Sequence, residues 1–431
     1  MDIGSLSLLL VGSILLLLSL GVPLAFAAAL VGLVLGYSLF GIPGIILLMQ
    51  RVYSISTEYI LLSVPLFLLM AALLERSGIA REMFNALDAW TGRIRGGVLI
   101  VTALMGTIMA AMSGIIGGEI VILGLVALPQ MLRLGYNRKL SIGMTCAAGS
   151  LGTMLPPSVV LIVYGLVAGT SISDLFLAGI IPGLLLATGY IAYALGRCHL
   201  QPEMAPKVDR QPVPFADKMR ASKGMIAPVL LVGVIFGFIY GGVTSITEAA
   251  AMAALLTFVV VSLRGEMTWV LFSGALKQTL VSIGVILWVT FGATMLTGSF
   301  SLAGGPSYIA RSITELGVSP FATILVILLL FVILGMFIDW IGILLLTMPV
   351  LIPVVSSLGY DLIWFGILFC LTMQISYLTP PFGPAAFYLK SVVPEDISIV
   401  EIFHSFIPFI VIQIVVIALV LLFPQLSLAL L

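Results

Sequence analysis

The sequence predicts an all-α polytopic membrane protein built from two inverted repeats, and three observations lead to this prediction. Of its 431 residues, 61% are hydrophobic and only 8% are charged, whereas about a quarter of the residues in a soluble domain are charged. Apolar runs of about twenty residues, the length that spans a bilayer as a helix, recur along the chain. Landmark residues also recur in the two halves at one constant offset.

Composition excludes several classes of function. The chain has 18 basic and 18 acidic residues, so it has no net field that would attract nucleic acid. Its three cysteines form no CxxC pair, and its two histidines are far apart, so we expect neither a disulfide framework nor a transition-metal site. A GxxxxGK[ST] loop is absent from the sequence, so this chain is not expected to hydrolyse ATP.

The first repeat is predicted to occupy residues 1–196. Its opening apolar run is too long for one crossing and is too long for a signal peptide, and we break it at Gly21-Val22-Pro23. Two short apolar arms joined at Ser113-Gly114 predict a re-entrant hairpin over about 96–130, which a bilayer tolerates only where protein or water surrounds it. The other predicted spans are 58–75, 139–165 and 175–196.

A polar, proline-rich segment at 197–224 is expected to be a cytoplasmic linker between the two repeats. The second repeat, 225–431, is predicted to contain a hairpin over about 320–352. Its other predicted spans are 225–240, 246–263, 279–297, 361–388 and 400–424.

The evidence for duplication is a displacement of 224 residues that several landmarks share. Pro129, Gly135 and Cys146 recur as Pro353, Gly359 and Cys370, and the pair Pro156-Pro157 recurs as Pro380-Pro381. A single offset seldom arises by chance at so many positions, so we interpret the chain as a duplication.

Basic residues give the orientation. With the linker in the cytoplasm and five crossings in each half, 16 of the 18 basic residues lie inside, and only Arg51 and Arg311 lie outside. Both termini are then periplasmic. An odd number of crossings makes the repeats inverted, so the two hairpins enter from opposite sides.

Inverted repeats with broken helices are typical of secondary transporters, whose sites lie near the middle of the membrane. Each Pro-Pro pair is predicted to unwind a helix, over about 139–165 and 361–388, because proline removes a backbone donor and clashes with the preceding turn. The carbonyls that this frees are oxygen ligands that suit Na⁺, and the following half-helix favours an anion. A simple proline kink is the alternative interpretation of each pair.

Acidic residues mark the hairpin tips. Asp339 is flanked by apolar runs, and a carboxylate at membrane depth is a functional hypothesis by default. Alternatively, Asp339 reaches water or caps the returning arm. Glu119 is interpreted in the same way or as the partner of a basic neighbour, whereas Glu248 fits a helix cap as well as it fits a site.

Residues 77–90 form an amphipathic segment that is expected to lie along the inner membrane surface, with one apolar stripe. It is interpreted either as an interfacial anchor or as an arm that links a static frame to a moving hairpin domain.

Seven groups of residues along the chain form a recognisable set of motifs. They are Met112-Ser113-Gly114, Leu128-Pro129 with Gly135-Tyr136, Ala148-Gly149 with Gly152 and Leu155-Pro156-Pro157-Ser158, Leu175-Phe176 with Ala178-Gly179 and Pro182-Gly183, Thr247-Glu248-Ala249-Ala250, Phe337 with Asp339, and Leu378-Thr379-Pro380-Pro381 with Gly383. With these motifs the sequence resembles, from end to end, the large membrane subunit of tripartite ATP-independent periplasmic (TRAP) transporters.

The resemblance implies a Na⁺-driven importer of a small organic anion, a carboxylate or a sulfonate, in the bacterial inner membrane. It implies an elevator-type ion-transporter fold and two partners, which are a separate small four-helix membrane subunit and a periplasmic substrate-binding protein. Because the first span begins almost at residue 1, the small subunit is expected to be a separate polypeptide. Na⁺ is then the coupling ion, and no cofactor is expected.

The resemblance also implies site residues. One sodium ion would be held by Ser113, Gly114, Gly152, Leu155 and Pro157, and a second by Gly335, Ser376, Thr379 and Pro381. Residues expected to act on substrate or in coupling are Glu119, Ser150, Thr153, Glu248, Asp339 and Gln374.

Two departures from the family pattern lie at the presumed pocket. The first tip reads Ser-Gly-Ile-Ile-Gly-Gly-Glu where many members have small and hydroxyl residues, and Trp340 follows Asp339 where many have proline. The substrate is therefore left open among 2-oxo acids, hydroxy acids and sulfonates.

Four other functions remain as rivals at this stage, and one of them, a purely structural scaffold, is harder to reconcile with the paired helix breaks. A receptor-independent Na⁺/dicarboxylate symporter would transport without the periplasmic protein. A membrane-embedded enzyme would need more titratable residues at depth than the sequence offers, and a channel suits rearranging hairpins less well than alternating access does.

Overall fold

The computed structural model describes residues 3–91, 94–114, 117–205, 213–315 and 317–431. Within these ranges it is helical and contains no β-strand, which confirms the predicted all-α class. The helices are α1 (Ile3–Ser19), α2 (Leu24–Ser56), α3 (Ser63–Arg76), α4 (Ile79–Thr91), α5 (Gly97–Ser113), α6 (Gly118–Arg133), α7 (Arg138–Gly149), α8 (Val159–Ala168), α9 (Ile172–Leu200), α10 (Phe215–Ala221), α11 (Ile226–Tyr240), α12 (Ile246–Leu263), α13 (Trp269–Leu302), α14 (Gly305–Glu315), α15 (Pro320–Gly335), α16 (Trp340–Ser357), α17 (Leu362–Leu378), α18 (Pro384–Lys390), α19 (Ile399–Leu422) and α20 (Gln425–Leu428).

Eight helical segments in the described part of the chain are long and apolar enough to cross a membrane. The arms α5 and α15, the half-helix α8 and the helix α17 are apolar but shorter. Helix α13 is 34 residues long, so the predicted span 279–297 is too short. It starts earlier because the Thr268 side chain caps it by accepting a hydrogen bond from the backbone of Leu271, and no breaker follows.

Small residues bring the two longest helices, α2 and α13, into close contact. A Cβ at Gly32 would overlap the backbone of Leu296, and a Cβ at Gly292 would overlap the carbonyl of Ala25. The Ser299 hydroxyl donates to the Gly32 carbonyl at 2.6 Å. Such contacts are how helices associate in a bilayer, where lipid is as apolar as leucine. Helix α3 packs against α13, and α12 packs against α3, which completes a frame of four helices.

The two predicted hairpins correspond to α5–α6 and α15–α16, and the predicted broken helices correspond to α7–α8 and α17–α18. These eight segments pack with α9 and α19 into a second helical group. Helix α16 packs against α13 and so contacts the frame. The functional site is therefore expected where the tips of the hairpins meet the frame.

Helix α4, the predicted amphipathic segment, is tied to the second half of the chain at both ends. Arg264 donates to both carboxylate oxygens of Glu82, at 2.9 and 2.6 Å, and Glu266 accepts from the backbone of Gly78 at 2.7 Å. At the other end, the Trp90 indole donates to the Ser222 hydroxyl at 2.9 Å. The helix is therefore held at both ends by residues of the second half, and it also packs against α5.

The segment predicted to be a linker contains structure of its own. Helix α9 continues to Leu200, and α10 follows at Phe215–Ala221. The guanidinium of Arg95 donates to the carbonyls of Ala205 and Pro202, at 3.0 and 2.7 Å. Residues 206–212, which carry two of the basic residues used for orientation, lie outside the described residues, as does Arg93.

We expect Arg264→Ala to lower the free energy of unfolding by about 1 kcal/mol, because a partly exposed ion pair contributes little more than that. Part of this loss should disappear in 0.5 M KCl, since salt screens exposed charges. Arg264 lowers the pKa of Glu82, so the contribution is lost only as the pH falls through that lowered value and stays constant between pH 6 and 8.

Thermal unfolding of the purified chain in detergent measures this effect. The control is Arg81→Ala, which removes an exposed arginine from α4, the helix that carries Glu82. Equal losses of stability in the two variants would contradict a stabilising role of the ion pair between Arg264 and Glu82.

Candidate functional site

The two helix breaks have the same design. Helix α7 ends at Gly149 and passes through a 3₁₀ turn, Ser150–Thr153, before α8 begins at Val159. Helix α17 ends at Leu378, and α18 begins at Pro384. Both Pro-Pro bonds, Pro156-Pro157 and Pro380-Pro381, are cis. The sequence-predicted breaks thus lie where the chain leaves helical geometry.

The tip of the first hairpin lies directly on the first break. Gly114 has a φ of +63°, and a Cβ there would overlap the carbonyl oxygen of Pro157. Its own carbonyl accepts a hydrogen bond from the backbone of Val159 at 3.2 Å. The neighbouring Ser113 is buried and donates its hydroxyl proton to Glu119. Three predicted sodium ligands, Ser113, Gly114 and Pro157, are therefore brought together.

Glu119 adds a carboxyl group to this site. Its side chain is fully buried, and its second oxygen, Oε2, has no hydrogen-bond partner among the described residues. Glu75 of α3 lies against Gly118, where any side chain would overlap its carboxylate. Buried oxygens without partners are costly unless something binds them. The oxygen-rich donor set here fits a hard monovalent cation such as Na⁺.

The other two predicted ligands of this first site lie further along the break. Gly152 is buried in the 3₁₀ turn, and Leu155 packs its side chain over Gly183 of α9. The 3₁₀ turn that contains Gly152 packs against α5, the arm that ends at the first tip. Residues 115 and 116 of the tip lie outside the described residues.

The tip of the second hairpin meets the second break in the same manner. Gly335 ends α15 beside Ser376, and a Cβ at 335 would overlap both side-chain atoms of that serine. Both residues line a void of about 10 Å³, whose lining also includes Asp339 and Tyr377. That volume matches one water molecule or one small ion.

Thr379 and Pro381, the remaining predicted ligands of the second site, lie at the break itself. The Thr379 hydroxyl donates to the Ile375 carbonyl at 2.7 Å, and the Ser376 hydroxyl lies 3.3 Å from the Thr372 carbonyl. A hydroxyl that donates in this way keeps its lone pairs for a cation.

Asp339 is the N-cap residue of α16 and lies between the small void and a much larger cavity. The Tyr377 hydroxyl donates to its Oδ1 at 3.2 Å. The carboxylate is therefore held by the second broken helix while it faces the cavity.

The larger cavity has a volume of about 610 Å³ and lies between the frame and the second hairpin. Leu68 of α3 and the 281–286 segment of α13 form one wall, and residues 335–341 form another. The second break and α18 complete it, and Val159 contributes from the first break. Cavities of 300–1,000 Å³ are typical of small-molecule sites.

The remaining sequence-predicted residues lie elsewhere. Ser150 donates to the Ala147 carbonyl at 2.8 Å, and the Thr153 hydroxyl lies 3.3 Å from the Ser150 carbonyl. Gln374 is fully buried, and neither of its amide atoms has a hydrogen-bond partner within the described ranges. None of these three residues lines the large cavity.

Glu248 forms a capping box at the start of α12 with Ser245. The backbone N–H of Ser245 donates to Glu248 Oε2 at 2.7 Å, and the backbone of Glu248 donates to the serine hydroxyl at 3.3 Å. The capping interpretation of Glu248 is therefore the one that the structure supports, with Ser245 as N-cap, and the residue is not part of the cavity lining.

The sequence did not predict that the frame contributes a carboxylate, Glu75, to the site at the first hairpin tip. Gln278 of α13 donates to Glu75 at 2.7 Å and accepts from Arg76 at 3.3 and 3.2 Å. This network presents a carboxylate to the first hairpin tip. Glu75 and Arg76 are the last two residues of a predicted span. A charged pair at the end of a span is ordinarily an anchor at the membrane interface, so the sequence did not indicate that Glu75 belongs to the site.

Comparison with known proteins gives one family for nearly the whole chain. Residues 11–426 match the family model described as tripartite ATP-independent periplasmic transporter, DctM component. A C4-dicarboxylate TRAP transporter large permease of Pseudomonas aeruginosa is 31% identical and is covered over 88% of both chains. An ectoine/5-hydroxyectoine TRAP transporter large permease of Ruegeria pomeroyi is 33% identical, over 85% of both chains.

Among solved structures, the chain is similar to the YdaH transporter of Alcanivorax borkumensis, whose structure is described as having an unusual topology. The TM-score is 0.68 at 16% identity, and the match covers 96% of this chain and 97% of the other. At that identity the likeness concerns the fold alone, and it confirms the polytopic helical transporter fold that the sequence predicts.

Proposed function

Because the chain belongs to the DctM component family of tripartite ATP-independent periplasmic transporters, we propose that it is a Na⁺-coupled importer of a small organic acid. It works in the bacterial inner membrane with a separate small membrane subunit and a periplasmic substrate-binding protein. The relatives are named transport permeases and not enzymes. One is named for C4-dicarboxylates and the other for ectoine and 5-hydroxyectoine, so membership leaves the substrate open.

The observation that supports this proposal most directly is the pairing of an ion-sized void with a ligand-sized cavity. Gly335, Asp339 and Tyr377 line both the void of about 10 Å³ and the cavity of about 610 Å³. An ion in the void would fix the positions of the same residues that form the cavity wall. Binding of Na⁺ and of substrate would then favour each other, as symport requires.

The proposed movement follows from the two helical groups. The hairpins and the broken helices carry both sodium sites, and they slide as one body along the frame formed by α2, α3, α12 and α13. The cavity lies at the boundary between them, so sliding exposes it to one side of the membrane and then to the other. The linker lies in the cytoplasm and both termini in the periplasm, in accord with the distribution of basic residues.

Substrate uptake into proteoliposomes that hold this chain and its small membrane partner tests the proposal. Uptake is measured with and without an inward Na⁺ gradient, and with and without the periplasmic protein. We expect uptake only when both are present. Uptake that needs Na⁺ but ignores the periplasmic protein would assign the chain to receptor-independent symporters instead.

We expect Ser376→Ala and Thr379→Ala each to raise the Na⁺ concentration needed for half-maximal uptake by about tenfold, since a hydrogen-bonding or ion-binding hydroxyl contributes about 1.4 kcal/mol. Ser262→Ala is the control, because its hydroxyl makes the same type of bond, to the Phe258 carbonyl at 2.7 Å, away from the breaks. An unchanged Na⁺ dependence in both variants would eliminate the second site as proposed.

A further inference from the structure

The lining of the large cavity is aromatic and acidic. Six aromatic side chains border it, and Asp339 is its single carboxylate among the residues that the structure describes. Phe337 and Phe382 are each 61% exposed, so both rings are accessible from the cavity that they line. The six aromatic residues are Phe337, Trp340, Tyr377, Phe382, Phe387 and Tyr388.

Positive charge, by contrast, is missing from the described lining of the cavity, which includes no lysine, arginine or histidine. The basic side chains nearest in sequence are occupied elsewhere. Lys390 donates to the carbonyls of Glu395 and Ile397, at 3.1 and 2.7 Å, and Arg76 donates to Gln278. A dianion would thus enter a low-dielectric site that offers no counter-charge and already holds a carboxylate, which is costly.

One carboxylate, however, finds neutral donors there. The hydroxyls of Ser282 and Tyr388 line the cavity and make no hydrogen bond within the described part of the chain. A hydroxyl can donate to a carboxylate without any charge of its own. The polar groups are therefore sufficient for one acid group.

Aromatic faces around a carboxylate are the chemistry that recognises a bulky cation. A ring attracts a positive group through the negative charge of its face, and quaternary ammonium groups are bound by such aromatic surroundings. A strongly hydrated small cation would lose more water than the rings replace, so an alkylated or delocalised cation suits this cavity best.

We propose that the cavity binds a zwitterionic organic acid, whose quaternary ammonium or amidinium group lies among the aromatic rings beside Asp339 and whose carboxylate accepts from Ser282 and Tyr388. This inference rests on the proposed function, because it takes the cavity as the substrate site. It narrows the expected small organic anion to an acid that also carries a positive charge.

The test compares two ligands that differ only in charge. Glycine betaine and 3,3-dimethylbutanoate have the same shape, with N⁺ in one where the other has carbon. Thermal unfolding of the purified full-length chain in detergent with NaCl is followed as each ligand, or succinate, is added. We expect the half-saturating concentration of glycine betaine to be about tenfold lower than that of its isostere.

Two variants connect that preference to the cavity. Asp339→Asn and Phe382→Leu should each bring the two ligands to nearly equal half-saturating concentrations, because they remove the counter-charge and one aromatic face. Phe321→Leu, at an exposed position of α15 outside the cavity lining, should keep the tenfold preference.

The possible failures separate the two proposals. Equal binding of betaine and isostere by the unmodified chain, or no stabilisation by betaine, would overturn the zwitterion. A Na⁺-dependent stabilisation by succinate that exceeds the stabilisation by glycine betaine and by its isostere would also overturn the zwitterion proposal. The proposed transport function would then still stand. Na⁺-independent behaviour of every ligand, with no stabilisation by NaCl over KCl, would instead count against the proposed function.

Discussion

Gly335→Ala is expected to remove the response of the protein to Na⁺ and to stop Na⁺-driven uptake. The added methyl group would overlap the Ser376 side chain and so displace part of the wall of the ion-sized void that both residues line. Overpacking of a closed site costs about 1–3 kcal/mol, so unfolding should also occur at a lower temperature. The measurements are thermal unfolding in NaCl against KCl, and uptake into proteoliposomes.

A double variant separates the loss of the ion from the loss of the fold. Ser376→Gly removes the atoms that the new methyl group would meet, so Gly335→Ala with Ser376→Gly should recover the unfolding temperature measured in KCl. It should not recover the difference between NaCl and KCl, because the hydroxyl ligand is gone. Gly233→Ala, in a helix position with open space around it, controls for the glycine change itself. Recovery of the Na⁺ response in the double variant would place the ion elsewhere.

The sequence predicted those features of the fold that depend on residues close together along the chain. Proline pairs interrupt a helix whatever surrounds them, so the breaks could be located, and the 224-residue offset matched them. The tips could be located because short apolar arms are joined there by small residues that allow a close approach. Asp339 could be singled out because a carboxylate between apolar runs is conspicuous. Its contact with Tyr377 could not, since that depends on how two helices pack.

Contacts between segments that are far apart along the chain could not be predicted from the sequence. Nothing in the run around Glu75 indicates that it lies against Gly118, and α4 is tied to Arg264 by a packing arrangement that hydropathy does not encode. The helix α14 is short and amphipathic, and it stayed hidden between two longer apolar runs. The aromatic lining of the cavity was missed for a related reason, because isolated phenylalanines in a membrane protein are ordinarily packing or lipid-facing residues.

Gly114→Ala is expected to have the second large effect, because it separates the first hairpin from the first break. Alanine at this position would overlap the Pro157 carbonyl and would have to adopt a φ of +63°. The second cost alone is about 1–2 kcal/mol, so a control must isolate the first. Gly169→Ala provides it, since Gly169 has a φ of +64° and no atom within 4 Å of its added Cβ.

We therefore expect Gly114→Ala to lower the unfolding temperature well beyond Gly169→Ala, and to abolish uptake where Gly169→Ala retains it. Ser113→Ala keeps the glycine and removes only the hydroxyl that donates to Glu119, so it should preserve the fold and weaken the stabilisation by NaCl relative to KCl. Both sodium sites would then share one design. A glycine at the hairpin tip allows close contact with the helix break at the Pro-Pro pair, and a serine supplies an oxygen ligand. A Gly114→Ala variant that matches Gly169→Ala in stability and in uptake would show that the first hairpin does not need this close approach, and would leave ion binding to the second break alone.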